Sequence, residues 1–119
     1  MASHNSFGIK GEKLAKELLT GKGFTILHKN YRYMKAEIDI LARKEEILAV
    51  VEVKSRSSEY FEAAAETVGR KKIKLIVMAA DHYVIENALD VEVRFDIITV
   101  LKKGNSYELE HLENAFYHF

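Results

Sequence analysis

The stretch Ala36-Glu37-Ile38-Asp39-Ile40-Leu41-Ala42-Arg43-Lys44-Glu45-Glu46-Ile47-Leu48-Ala49-Val50-Val51-Glu52-Val53-Lys54 decides how this chain folds. Two apolar runs flank a short polar link. In Ala36–Arg43, Ile38, Ile40 and Ala42 alternate with Glu37, Asp39 and Leu41; in Ile47–Lys54, Ala49, Val51 and Val53 alternate with Leu48, Val50, Glu52 and Lys54. A period of two marks a strand. The link Arg43-Lys44-Glu45-Glu46 is short enough for a hairpin, so the two strands are expected to be antiparallel neighbours.

Upstream, Phe24–Tyr33 is rich in β-branched and aromatic residues and reads as a strand, its end blurred by Lys29 and Asn30. Before it, Gly11, Leu14, Ala15 and Leu18 recur at helical spacing over Gly8–Leu19, between possible caps at Asn5 or Ser6 and stop signals at Gly21 and Gly23. Glu12 falls at the edge of that apolar stripe and can face whatever the helix packs on. Downstream, a Ser/Glu-rich stretch covers 55–59, Ala63–Val68 has room for a helical turn, and a second helix spans Lys71–Glu86 with Ile73, Ile76, Val77, Ala80 and Val84 on one face. Val91–Leu101 is a further strand, Gly104-Asn105 a turn, and Tyr107–Leu112 a weakly alternating last strand. The order α-β-β-β-α-β, with one more β, predicts an α/β protein with a mixed central sheet flanked by helices.

With 119 residues the chain is read as one domain, residues 1–119. The absence of cysteine excludes disulfides, thiolate metal sites and cysteine nucleophiles. No apolar run is long enough to span a membrane and the first residues lack the regions of a signal peptide, so a cytoplasmic protein with no membrane partner is expected. The formal net charge is zero, 18 basic residues against 18 acidic, which argues against global electrostatic capture of nucleic acid. The balance is uneven along the chain. Residues 1–35 hold seven basic and two acidic residues, Arg70, Lys71, Lys72 and Lys74 form a second basic cluster, and Glu108, Glu110 and Glu113 make the end acidic. One face of a neutral protein can thus meet a polyanion, although solvated helix faces explain the same pattern.

The chemistry is written as carboxylates inside apolar strands. Asp39 stands between Ile38 and Ile40, and Glu52 interrupts Ile47–Val53 where Val or Ile would fit better. Such groups are costly to bury unless a cation meets them. Period-two geometry puts Glu52 and Lys54 on one face, and a cooperating hairpin register would bring Asp39 to them. Two hard oxygen ligands beside a lysine suit Mg²⁺ or Mn²⁺, with the lysine placed to orient water or stabilise developing phosphate charge. A Glu-x-Lys triplet alone arises by chance; the coincidence with Asp39 and Glu12 is what raises it. The competing explanation is that Asp39 or Glu52 merely pairs with Lys54 or Arg56 at a strand end. Elsewhere, the five histidines show no metal-ligand spacing, Tyr31 and Tyr33 suit a sheet edge better than base stacking, and Arg94 and Asp96 are read as a structural pair.

The segments Gly8-x-x-Gly11-Glu12-x-x-Ala15, Asn30-Tyr31-Arg32, Glu37-Ile38-Asp39-Ile40-Leu41-Ala42, Val51-Glu52-Val53-Lys54-Ser55-Arg56, Val68 with Lys71 or Lys72, and Arg94-Phe95-Asp96 resemble the successive motifs of the YraN-like bacterial family. The resemblance spans nearly the whole chain. It implies the restriction-endonuclease-like αβββαβ core of the PD-(D/E)XK superfamily, with similarity to archaeal Holliday-junction resolvases. It further implies Asp39 and Glu52 as metal ligands with the Val53 carbonyl, Lys54 as the catalytic lysine, and Glu12 reaching the metal through water. Arg56 lies where such sites contact phosphate, and Arg70, Lys71, Lys72 and Lys74 are candidate nucleic-acid contacts. Glu37 shares the strand face of Asp39 on this reading, open to a second metal or to Lys54. Two positions depart from the pattern: Ala36 replaces a glycine, and Phe61-Glu62 replaces Phe-Gly in the loop after Lys54.

The expected function is therefore a Mg²⁺- or Mn²⁺-dependent endonuclease hydrolysing phosphodiester bonds of structured DNA. The alternative is a nucleic-acid-binding module on a nuclease fold with little or no catalysis. A junction substrate would call for two active centres and hence a homodimer. A third reading has the acidic end or Phe116, Tyr117 and Phe119 meeting a protein partner, against the simpler outcome that these aromatics pack back on the domain.

Overall fold

The polar link folds back as its composition requires. Strand β2 (Ala36–Lys44) pairs antiparallel with β3 (Ile47–Ser57), from Lys44 opposite Ile47 to Ile40 opposite Val51. Glu45 takes a left-handed φ of 55°, and its carbonyl accepts a hydrogen bond from Arg43 Nε at 2.8 Å. The structure, a computed structural model, describes residues 6–57 and 69–116. Around the hairpin stand α1 (Ser6–Gly21), β1 (Thr25–Tyr33), α2 (Arg70–Glu86), β4 (Glu92–Lys103) and β5 (Ser106–Leu112). The five strands lie in the order β1-β2-β3-β4-β5, antiparallel except for the parallel β3–β4 pair. Only a crossover can bring two consecutive parallel strands side by side, and α2 lies on that crossover. This is the restriction-endonuclease-like αβββαβ core with one added strand, a mixed sheet flanked by two helices.

Each helix covers one face. Ala15 and Leu19 of α1 meet Ile40, Ala42, Ala49, Val51, Ile98 and Val100. Ile76, Ala79, Ala80 and Tyr83 of α2 meet Ile38, Leu41, Leu48, Val50, Phe95 and Ile97. Burial of both faces explains why β3 reads as an almost unbroken apolar run. Each fully buried Leu or Ile contributes about 1.5–3 kcal/mol, and Leu19, Ile38, Ile40, Leu41, Leu48, Ile97 and Ile98 are all in that state. Gly11 sets the approach of α1. A methyl group there would overlap the Ser55 hydroxyl and crowd its Cβ, so a larger residue would force the Ser55 side chain to turn away.

Two expectations need correction. Ile38 and Ile40 do not share a face: Ile38 enters the α2 core and Ile40 the α1 core. Asn30, at φ 54°, stands where Asp39 would pair, and the ladder skips from Lys29–Ile40 to Tyr31–Ile38. Asparagine tolerates the left-handed region, so the irregularity is encoded locally. Second, β3 runs on to Ser57, so the Ser/Glu-rich stretch begins as strand rather than loop. β1 also contains a register shift between Ile26 and His28. The turn at Ala63–Val68, the loop residues Phe61-Glu62, and Tyr117 and Phe119 lie outside the described residues. Phe116 is buried and stacks on Phe95 at 5.3 Å between ring centroids, as the packing-back reading expected.

Candidate active site

The β2–β3 ladder stops at Ile40 and Val51, one step short of Asp39 and Glu52. The strands part there, and the Asp39 side chain enters the opening: the Val53 backbone N–H donates to Asp39 Oδ2 at 2.7 Å. A carboxylate thus replaces a carbonyl as the acceptor for β3. Glu52, next to Val53, is 8% exposed and follows Val50 onto the α2 face. Ile38, Val50, Val51, Ile76 and Phe116 pack around it with no room for a water molecule between them. Two ammonium groups reach the same Glu52 oxygen, Oε2: Lys72 Nζ at 2.6 Å and Lys54 Nζ at 3.4 Å. Lys54, two residues on along β3, is itself largely buried, its side chain 12% exposed.

Electrostatics tie these groups together. Burial pushes the Asp39 carboxyl up from 3.8 to about 7; repulsion from Glu52 and then Glu12 adds to this, while the Val53 N–H and the Lys72 charge oppose it. Asp39 therefore senses Glu12 from α1 on one side of the sheet and Glu52 and Lys72 on the other. Glu52 and Lys54 pair at 3.4 Å, and Glu52 and Glu12 both act on Asp39 through their charge, but among the described residues no three acidic or imidazole side chains gather into a ready-made metal cage. The donor set suits a hard divalent cation: two carboxylates held close enough to repel each other, next to the Val53 carbonyl, is the ligand chemistry of Mg²⁺. A cation there would offset both the burial and the Glu52 repulsion that raise the Asp39 carboxyl.

The basic residues divide. Arg70, Lys71, Lys72 and Lys74 are all exposed in the first turns of α2, and the Lys72 ammonium reaches back to Glu52. Arg56 is half-buried, and its Nη1 donates to the Ser55 carbonyl at 2.9 Å. Glu37 is exposed and faces Arg32 at 3.7 Å. Tyr31 packs on Tyr83, and Tyr33 stacks on His82, so these rings fasten β1 to α2. His82 also pairs with Glu86 at 2.6 Å.

A second polar cluster lies under the far side of the sheet, and it confirms Arg94–Asp96 as a structural pair. Asp96 is fully buried; it accepts two hydrogen bonds from Arg94 at 2.9 Å, one from the Asn114 N–H at 3.0 Å, and pairs with His111 Nε2 at 2.8 Å. Burial alone would raise its carboxyl, but the His111, Arg94 and Asn114 hydrogen bonds outweigh it and hold Asp96 below the usual range. Lys22 Nζ meets His111 Nδ1 at 2.8 Å, which fixes the Nε2–H tautomer toward Asp96. His111 escaped the sequence reading because nothing in a lone histidine shows that its strand register puts it beside a buried aspartate.

Fold and site together define a restriction-endonuclease-like α/β protein with a carboxylate–lysine centre at the opening of its central hairpin. The sequence profile of the uncharacterised protein family UPF0102 matches residues 11–100. The chain belongs to that family. It is 52% identical over 119 residues to UPF0102 protein FP2501 of Flavobacterium psychrophilum and 48% identical to a UPF0102 protein of Christiangramia forsetii, covering both chains completely in each case. A UPF0102 protein of Bacteroides thetaiotaomicron is 44% identical over 98% of this chain and 97% of its own. No helix among the described residues is long and apolar enough to cross a membrane.

Proposed function

We propose that the protein is a divalent-metal-dependent endonuclease that hydrolyses phosphodiester bonds of structured DNA. The observation that carries this reading is the convergence of Asp39 and Glu52, from two strands, on one opening with a buried lysine beside them. Asp39, Glu52 and the Val53 carbonyl would hold Mg²⁺ or Mn²⁺, with Glu12 at the outer edge. The metal, when bound, supplies charge neutralisation and a more acidic water. Lys54, fixed by Glu52, presents an ammonium to the charge that develops on the attacked phosphate. Arg70, Lys71 and Lys74 share the first turns of α2 with Lys72 and would suit neighbouring phosphates; Arg56 lies on the same strand as Glu52. The uneven charge distribution lets a neutral protein offer this basic rim to DNA.

Calorimetric titration of Mg²⁺ and Mn²⁺ into wild type, Asp39→Asn and Glu52→Gln, with cleavage of a labelled junction and duplex, tests the reading. Binding lost in both variants, and cleavage reduced by at least about a hundredfold in Lys54→Ala, is the expected result. Metal binding that persists in both variants would overturn it. One observation favours the alternative of a binding module with little catalysis: two lysines already neutralise Glu52. Tight DNA binding without cleavage under either metal would select it.

A further inference from the structure

Glu52 has one cation more than a buried carboxylate requires. Lys54 comes from its own strand and is held by packing, but Lys72 comes from the first turn of α2, and it makes the shorter contact, 2.6 Å against 3.4 Å. Its position is unfavourable in every other respect. A positive charge in the first turn of a helix opposes the helix dipole, and no acidic residue occupies that turn. Ile76 lies one helical turn further along and is buried against the sheet, so Lys72 is carried to the same face by the residues that anchor α2. Its side chain is nonetheless far more open to solvent, 46% exposed compared with 12% for Lys54. One lysine is built in and the other can leave.

Resting on the metal-dependent reading above, we propose that Lys72 is an exchangeable stand-in for the metal. Its ammonium holds Glu52 in the absence of a divalent ion. It is displaced when the ion binds, and it then swings out to join Arg70, Lys71 and Lys74 on the phosphate-facing rim. Lys72 and a divalent cation compete for Oε2, because Lys54 already brings one positive charge to that oxygen and the three together repel. Metal affinity is therefore set by competition with the protein's own lysine, and a DNA phosphate that attracts the released ammonium favours the exchange. Metal and DNA thus assist each other's binding, and each must do so by the same factor.

The test titrates Mn²⁺ into wild type, Lys72→Gln, Lys72→Arg and Lys71→Gln by calorimetry, and measures duplex binding by anisotropy with and without Ca²⁺. Removing the competitor in Lys72→Gln should tighten Mn²⁺ by about tenfold. Lys71→Gln, which removes the same charge one residue away, should change it less than about twofold. Lys72→Arg keeps the charge and grips a carboxylate in a planar fork, so it should bind Mn²⁺ no better than wild type and supplies the reading if the glutamine variant fails to fold. Ca²⁺ should strengthen duplex binding by wild type more than by Lys72→Gln. Equal or weaker Mn²⁺ binding by Lys72→Gln, in a wild type that binds Mn²⁺, overturns the stand-in and leaves the metal site intact. Absence of Mn²⁺ binding by wild type and Lys72→Gln alike overturns the metal-dependent reading, and the exchange with it.

Discussion

Asp39 carries the site's pH dependence. Its folded-state value, about 7, lies above the 3.8 of the free side chain, so between these values the folded protein keeps a proton that the unfolded chain has released. Stability from this residue is fully present below about pH 4 and is lost as the pH rises through 7. Asp39→Asn cannot ionise; in chelator, its melting temperature should exceed that of wild type at about pH 8 and approach it at about pH 5. Parallel melting curves at both pH values would show that Asp39 is not strained. Asp39, Glu52 and Lys54 were legible in the sequence because an ionised group in an apolar strand breaks a rule that burial enforces. Lys72 as the partner of Glu52 was not, since the contact joins residues 20 apart on separate elements. Thr99 is a similar case. It pairs with Lys54 across β3 and β4, and its hydroxyl is buried with no hydrogen-bond partner among the described residues, which nothing local to the threonine foretells.

At the scale of elements, alternation and turn chemistry located all five strands and both helices to within a few residues. The break in β2 escaped because period two was carried through Asp39, although Asn30 in the facing strand held the clue. The last strand alternates only weakly, and the Asp96 cluster is what secures it: His111 lies on β5 and Asn114 just beyond, both bonded to an aspartate of β4. Asp96→Ala would leave Arg94 without its bidentate partner and should cost about 3–5 kcal/mol in urea unfolding. Glu86→Gln, which breaks the exposed His82–Glu86 pair and leaves the Tyr33–His82 stack in place, should cost less than about 1 kcal/mol. Equal losses would mean that burial of the Asp96 cluster contributes nothing. Because Asp96 is held below 3.8, its stabilisation persists above that value and fades as the pH falls beneath it.

For the whole molecule, the parallel pairing of β3 with β4 has a kinetic consequence. Ile47 pairs with Glu92, a separation of 45 residues, whereas Lys44 and Ile47 of the β2–β3 hairpin are three apart. Closing a long loop costs entropy before any contact rewards it, so the hairpin is the local event and docking of β4 the late one. Pulsed hydrogen exchange during refolding should therefore protect the Ala49 and Val51 amides, which face β2, ahead of the Asp96 and Ile98 amides, which face β3; simultaneous protection would refute this order. Asp39, Glu52 and Lys54 all belong to the early hairpin, so the chemistry is laid out while the sheet is still incomplete. Lys72 belongs to the crossover and arrives with the closing of the sheet. If the proposed nuclease reading holds, a nascent chain would carry its reactive groups before it carried its restraint, and the last helix to dock would be the one that makes them safe.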